Sequence, residues 1–192
     1  MVAARLVISA LVLGGMLSLA HGTWMPAKAR LAQVLLDHAW HETLRSGDSA
    51  KPWPWADTWP VARLIVPSHK KSMVVLAGAN GAALAFGPGH LTTSAPPGVS
   101  DNSVIAGHRD THFAFLKALK PGDVLQLQAP DGGLHDYRVT QMRVVHETDT
   151  RVLQRSESAM LTLITCYPFD AVVPGGPLRY VVRARGVSSN NT

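Results

Sequence analysis

The hydrophobic and polar positions of the chain divide it into three regions. An apolar run covers residues 6–20, and apolar positions at helical spacing follow to about residue 44. From residue 61 onward, apolar residues occur in short β-branched runs separated by glycine, proline and aspartate. The pattern predicts an N-terminal helical region followed by an all-β domain.

Residues 1–24 predict a signal anchor in the form of a transmembrane helix. The run of about 15 apolar residues lies near the lower limit for crossing a hydrocarbon core. Ser18 and Ala20 resemble the small residues before a cleavage site, but continued helical spacing beyond them favours an uncleaved anchor. Arg5 on the short side predicts a cytoplasmic N-terminus. We therefore expect a single-pass protein of the inner (cytoplasmic) membrane whose domain faces the periplasm or exterior.

Residues 25–60 predict a linker in two parts. The first is an amphipathic helix from Pro26 to about Leu44, which ends before the domain boundary near Gly47. The second alternates proline and tryptophan over residues 52–60 and cannot continue a helix. We expect a stiff arm whose tryptophans pack across one end of the β domain.

The β domain is predicted to cover residues 61–192 and to form a closed or nearly closed barrel. No repeated strand–helix units and no fixed repeat period occur, so a doubly wound sheet and a solenoid are excluded. A short helix is expected over Thr111 to Leu119, and Asp131 to Gly133 should join a hairpin. The predicted strands are Val61 to Val66, Ser72 to Ala77, Ser103 to Gly107, Val124 to Gln128, His135 to Val145, Met160 to Thr165 and Leu178 to Arg185, with turns at residues 87–90, 95–98 and 120–123.

Composition narrows the possible classes of function and of cysteine site. With 192 residues, 46% hydrophobic and 16% charged, the chain suits one folded domain plus an appendage. The net charge of +5 is scattered along the chain, which does not favour nucleic acid as a partner. The single cysteine, Cys166, excludes an intramolecular disulfide and a multi-cysteine zinc site. It is either a small buried apolar residue or a reactive thiol.

The position of Cys166 favours the reactive thiol. It ends an apolar strand and is followed by Pro168, so the backbone can hold the sulfur rigidly while a groove exposes it. A nucleophilic thiol needs a base or an electrostatic partner. Among nine histidines, only His108 lies in a Gly-His-Arg context, residues 107–109, at the end of another predicted strand. Arg179 begins the next strand, which can bring its guanidinium back towards the thiol.

These elements together resemble the signature of the sortases. The strand Thr162 to Cys166, the upstream Gly107-His108-Arg109 and the downstream Arg179 occur in the family's order. The likeness covers about Val61 to Gly186 and implies an eight-stranded β-barrel with short helices. The N-terminal anchor and the tryptophan-rich arm are most similar to sortases of Gram-negative proteobacteria.

The resemblance implies a cysteine transpeptidase, a hydrolase-type thiol peptidase that transfers its product. Cys166 would cleave a C-terminal sorting signal of the Leu-Pro-x-Thr-Gly (LPxTG) kind between threonine and glycine and form a thioester. His108 would act as acid and then as base while an amine acceptor takes the protein, and Arg179 would stabilise the oxyanion. Thr165 and Leu163 would contact the substrate.

The loop from Val145 to Ser158 falls where some sortases carry a calcium site. Its three carboxylates alternate with arginines, which is typical of a solvated charged loop, so no metal or other cofactor is predicted. Asp110 and His112 are predicted to serve the local turn.

Other functions remain alternatives. A peptidoglycan transpeptidase usually has a Ser-x-Gly-Cys context, and a papain-like protease places its cysteine before its histidine; neither pattern occurs. A membrane-tethered, non-catalytic β-barrel that binds peptides or envelope polymers through its tryptophans is the alternative from a different class.

Overall fold

The computed structural model describes residues 2–173 and 175–187. Its first element is one α-helix, α1 (Val2–Ser46). The segment of the predicted anchor and the predicted amphipathic helix thus belong to one continuous helix, which runs through Pro26. The predicted stop is confirmed: Gly47 has φ 78° and its N–H bonds to Thr43 O (2.9 Å), which closes the helix in a left-handed turn.

The predicted anchor, residues 1–24, lies largely on residues whose side chains are outside the described part of the structure. Among the residues that are described, no helix has the length and apolar character needed to cross a membrane. The anchor stays a prediction.

Eight strands form a closed barrel in the order β1-β2-β3-β4-β7-β8-β6-β5. All seven predicted strands are present. The eighth, β3, comprises only two residues within the segment predicted as a turn, which is too short to show a period of two. The strands are β1 (Pro60–Val66), β2 (Lys71–Ala77), β3 (Gly89–His90), β4 (Asn102–Ala106), β5 (Val124–Gln128), β6 (Leu134–His146), β7 (Met160–Tyr167) and β8 (Leu178–Gly186).

Short helices fill the connections. The predicted helix over residues 111–119 is a shorter 3₁₀-helix, Ala114–Ala118. Phe113, Leu116 and Leu119 are all buried, and their spacing of three residues matches the period of a 3₁₀-helix rather than an α-helix. Further short helices are α2 (Gly81–Leu84) and the 3₁₀-helices Pro67–His69 and Thr150–Leu153. The predicted hairpin after β5 is confirmed, with Gly132 at φ 84°.

The barrel core lies on one side of the alternating strands. Leu161 and Leu163 of β7 and Val182 and Ala184 of β8 are fully buried in it. The intervening residues of both strands therefore point to the outer face. This alternation decides which side chains can reach a substrate.

The end of α1 packs on the barrel through a second apolar cluster. Trp40 is fully buried there, and its indole N–H donates to Gln128 Oε1 (3.4 Å). The prediction for the proline–tryptophan arm is only partly correct. Trp53 packs edge-on against Phe86 (5.2 Å between ring centroids), whereas Trp55 is 79% exposed. The main aromatic anchor is thus in the helix rather than in the arm.

Candidate active site

Strand register pairs two of the three predicted site residues and places the segment that leads to the third beside β7. Cys166 on β7 is the direct partner of Arg179 on β8, so the two side chains share one face of the sheet. On the other side of β7, β4 runs parallel, with Ala106 paired to Ile164. Beyond this pair, Gly107 N–H donates to Ile164 O (3.1 Å), and His108 follows Gly107. Strands β7 and β8 therefore carry Cys166 and Arg179, and the segment directly after β4 carries His108.

Cys166 is a free, half-buried thiol on the outer face of β7. The core-facing positions beside it belong to Thr165 and, two residues earlier, Leu163. The interpretation of Cys166 as a buried apolar residue is therefore not supported. Neighbouring strands hold its backbone on one side through Arg179 and on the other through the segment after β4.

Thr165 and Leu163 do not have the substrate contacts expected of them. Leu163 is fully buried in the core, and Thr165 is 2% exposed. The Thr165 hydroxyl donates to Gly107 O (2.7 Å), and Gly107 N–H donates to Ile164 O (3.1 Å). Because strand alternation turns both side chains inward, they lie beyond a substrate's reach. Thr165 instead fastens the chain just before His108 to the strand of the thiol.

The glycine before His108 is required by the close approach of an aromatic ring. A Cβ atom on Gly107 would lie 2.8 Å from the ring of Phe113. Phe113 N–H also donates to His108 O (2.9 Å), closing the turn after the histidine. His108 itself is exposed. The turn thus presents the imidazole outward from a rigidly packed base.

Arg179 is held by three contacts. Its Nη1 donates to Gly176 O (2.6 Å) and Leu178 O (2.9 Å), and its Nη2 donates to Glu147 Oε2 (2.6 Å). A guanidinium carries five N–H groups, so donors remain for a ligand. Glu147 lies just after β6, in the loop interpreted from sequence as solvated. No sequence signal connects it to Arg179, because the contact depends on β6 and β8 being neighbours.

A groove leads along the barrel face to Arg179. It encloses a cavity of about 180 Å³ between β7, β8 and the 3₁₀-helix Thr150–Leu153, with Glu147 at its rim. Its apolar lining consists of Val145, Val152, Leu153, Ile164 and Val181. Such a lining is suited to an apolar side chain that lies next to the guanidinium, because ligand sites combine apolar walls with a few placed polar groups.

The family model for the sortase domain matches residues 64–187. The chain belongs to the sortase family. It is 31% identical over 126 residues to sortase D of Bacillus subtilis, covering 65% of this chain and 63% of that protein. It is 32% identical over 110 residues to sortase A of Listeria monocytogenes, covering 55% and 49%. This chain thus spans about half to two thirds of the length of these relatives.

Solved sortases share the barrel. Sortase A from Corynebacterium diphtheriae superposes with a TM-score of 0.63 at 30% identity, covering 72% of this chain and 65% of that one. Sortase C-1 from Actinomyces oris gives 0.60 at 32% identity, covering 67% and 74%. The predicted sortase-like β-barrel is confirmed. These matches lend no support to the narrower likeness to proteobacterial sortases.

The groove wall of this sortase domain is tied to the start of β4. Asn102 is buried, and its amide donates to Val152 O (3.1 Å) and Gln154 O (3.0 Å). Asp101 accepts hydrogen bonds from Ser156 N–H and from Arg155, in addition to the N–H of its neighbour Asn102. These contacts, the backbone bond from Ser156 first, hold the pKa of Asp101 at about 2. The wall is therefore fastened to the same strand that leads to His108.

Two of the three loop carboxylates are paired with arginines. Glu147 binds Arg179, and Asp149 binds Arg151 Nε (2.8 Å), which lowers the pKa of Asp149 to about 2. Glu157 lines a different cavity. Within residues 2–173 and 175–187, no cluster of three or more His, Cys, Asp or Glu side chains suits a metal ion.

Asp110 and His112, which lie in the turn after His108, differ in environment. Asp110 forms an ion pair with Arg109 (3.3 Å). His112 is half-buried, and this burial, followed by the positive charge of His108, lowers the pKa of His112. His112 therefore favours its neutral form beside the exposed histidine.

Proposed function

We propose that this sortase domain is a cysteine transpeptidase with Cys166 as nucleophile, His108 as acid and base, and Arg179 as oxyanion stabiliser. The observation that supports this most directly is the register of β4, β7 and β8. It sets a half-buried thiol opposite a guanidinium that lines an apolar cavity, on a strand beside the segment that leads to His108.

In the first half-reaction, the Cys166 thiolate attacks the threonine carbonyl carbon of an LPxTG-like sorting signal. Arg179 donates to the resulting oxyanion. As the C–N bond breaks, His108 gives its proton to the departing glycine amine, and a thioester remains on Cys166. The leucine and proline of the signal would occupy the apolar part of the groove.

In the second half-reaction, an amine acceptor attacks the thioester. His108, now neutral, takes the proton from the amine, the C–S bond breaks, and the thiolate is restored. If water replaces the amine, the same steps give hydrolysis, which is the peptidase side of the chemistry. Thiol, imidazole and guanidinium supply every group that these steps need, so the proposal includes no cofactor. The envelope location stays a prediction.

The test uses the full-length chain in detergent with quenched LPxTG peptides, with and without triglycine as amine. We expect cleavage between threonine and glycine, and a triglycine-linked product by mass spectrometry that appears only when the amine is present. Hydrolysis alone, unaffected by the amine, would mean a protease. If Cys166 resists alkylation and no peptide of the panel is cleaved, the non-catalytic peptide-binding barrel is the better hypothesis.

Replacing Arg179 with alanine should reduce kcat/KM by about a hundred- to a thousandfold. Loss of one preorganised oxyanion donor costs about 2.7 to 4 kcal/mol in comparable sites. Arg179→Lys should recover little, because a compact ammonium cannot contact the oxyanion, Glu147 and the loop carbonyls in the planar geometry of a guanidinium. The measurement is steady-state kinetics on the sorting peptide.

Arg183 provides the matched control for Arg179. It lies on the same face of β8 but about 13 Å further along at a rise of about 3.3 Å per residue, and it donates to Arg151 O (3.0 Å) in the groove wall. We expect Arg183→Ala to change kcat/KM only slightly. An Arg179→Ala rate within about threefold of the parent, or a larger defect in Arg183→Ala, would contradict the assignment.

Glu147→Ala should lower kcat/KM by up to about fivefold and the melting temperature by at most a few degrees. The carboxylate is 48% exposed, and pairs of this kind contribute at most about 1 kcal/mol, which corresponds to about a fivefold change in rate. Asp149→Ala is the control, because Asp149 pairs with Arg151 instead. Increased activity in Glu147→Ala would show that Glu147 competes with substrate for Arg179 rather than orienting it.

A further inference from the structure

We propose that Arg109 is a positioning residue that fixes the segment carrying His108 against the loop that follows Cys166. The guanidinium donates through Nη1 to Pro168 O (2.7 Å) and through Nη2 to Ala171 O (2.8 Å). Its consequence for catalysis rests on the function proposed above, whereas the geometry does not.

The burial of Arg109 needs an explanation. Only 6% of the residue is exposed, although arginine is rarely buried in folded proteins. Its one charged partner, Asp110, lies at 3.3 Å and is 68% exposed, and the other two partners are neutral carbonyls. Such partners offset the desolvation of a cation only in part. Stability alone is thus a poor reason for this arginine, and its planar fork is suited to spanning two carbonyls of one loop.

Arg109 supplies the second of two sets of hydrogen bonds that hold the segments of the proposed catalytic pair together. Before the pair, Gly107 is bonded to Ile164 and Thr165 of β7. After the pair, Arg109 is bonded to Pro168, two residues beyond Cys166, and to Ala171. Hydrogen bonds before and after His108 and Cys166 therefore link their two segments, which lie 58 residues apart in the sequence. Removing the guanidinium would release one side and allow the imidazole to drift from the thiol.

Positioning matters because proton transfer requires hydrogen-bonding distance between the acid and the leaving group. A shift of about 1 Å at such a site can reduce the rate about a hundredfold. Several titratable and charged groups, which would also shape a pH profile, lie within four residues of His108 or Cys166, or are Arg179 and its partner: Asp110, His112, Tyr167, Asp170, Arg179 and Glu147. Of these, Asp110 contacts Arg109 (3.3 Å) and loses this partner in Arg109→Met, whereas Arg109→Lys keeps a cation beside it.

The first experiment measures the pH dependence of iodoacetamide alkylation of Cys166 in the full-length chain, which needs no peptide substrate. We expect the parent profile to contain an inflection that His108→Ala lacks. Arg109→Met keeps much of the aliphatic stem, and its profile should follow that of His108→Ala. On the sorting peptide, Arg109→Met should lose at least tenfold in kcat with KM within twofold, since the groove is untouched.

Arg138→Met is the control, because Arg138 also donates to a backbone carbonyl, Gly122 O (3.0 Å), but far along the chain from the site and on the surface. It should match the parent. Arg109→Lys should lose at least threefold in kcat, since one ammonium cannot replace the two hydrogen bonds of the guanidinium. If Arg109→Met fails to fold, Arg109→Lys provides the deciding measurement. Parental alkylation and kcat in folded Arg109→Met, or in Arg109→Lys, would overturn the proposal.

The alkylation experiment tests the positioning role of Arg109 independently of the transpeptidase function. If the parent cleaves no peptide but the profiles of the parent, Arg109→Met and His108→Ala differ as expected, the positioning role stands and the transpeptidase assignment fails. If the parent and His108→Ala profiles coincide, His108 is not coupled to Cys166, and Arg109 has no pair to position.

Discussion

Cys166→Ala should abolish both cleavage and transfer while leaving the protein folded. No other thiol can replace it, because Cys166 is the only cysteine in the chain. Its side chain lies on the outer face of β7, half-buried, so its removal opens no cavity in the barrel core. Truncating a core leucine, by contrast, commonly costs about 2 to 5 kcal/mol. We expect the free energy of unfolding of Cys166→Ala to stay within about 1 kcal/mol of the parent.

The measurement combines peptide kinetics, thermal melting and labelling. In the parent, iodoacetamide should add one group, at Cys166, and labelling should stop turnover. Leu161→Ala serves as the contrasting variant, because Leu161 is fully buried on the inner face of the same strand. It should melt earlier but retain the thiol's reactivity while folded. Peptide cleavage by a folded Cys166→Ala protein would refute the mechanism.

His108→Ala should lower the rate by roughly a hundred- to ten-thousandfold, the usual cost of losing a general acid–base group. The step affected most should be departure of the glycine amine, because an unprotonated amine is a poor leaving group. The imidazole is exposed and rests on a turn that Phe113 packs from below, so the substitution should barely affect folding. The measurement is single-turnover kinetics on the sorting peptide.

His146 offers a matched control for His108. It is exposed, lines the groove cavity near Arg179, and its Nδ1 contacts Thr148 Oγ1 (2.9 Å). His146→Ala and His112→Ala should both retain most activity. His90 is a poorer control, because it is buried against Ala95 O (2.8 Å), so its substitution should reduce stability. If His146→Ala or His112→Ala were inactive while His108→Ala worked, the acid–base assignment would be wrong.

Prediction from sequence was most accurate where the signal is local. A period of two and bordering turn residues depend on neighbouring positions alone, so the seven longer strands and the hairpin at Gly132 were predicted correctly. The two-residue β3 was missed, because its strand character comes only from pairing with β2 and β4. The helical spacing on both sides of Pro26 likewise appears in the structure as one helix, α1, although a proline inside a helix is usually disfavoured.

The candidate site shows the same division. The motifs around His108, Cys166 and Arg179 were visible in the sequence because each combines a strand end with an unusual residue type. Thr165 and Leu163 were assigned to the substrate merely for being near the thiol. Side chains alternate across a strand, and both of these point into the barrel. Only the closed barrel shows which face of the strand is the core.

By itself, the sequence determined the all-β character of the domain, the order of its three chemical motifs and the uniqueness of its thiol, since these depend on residue identity and short-range pattern. The tertiary structure alone decided that β7 lies between β4 and β8, which makes neighbours of residues 58 apart. It also assigned Glu147 to Arg179 and buried Arg109 against Pro168 and Ala171. These contacts join distant segments through strand pairing and loop closure, for which no local pattern in the chain provides a signal.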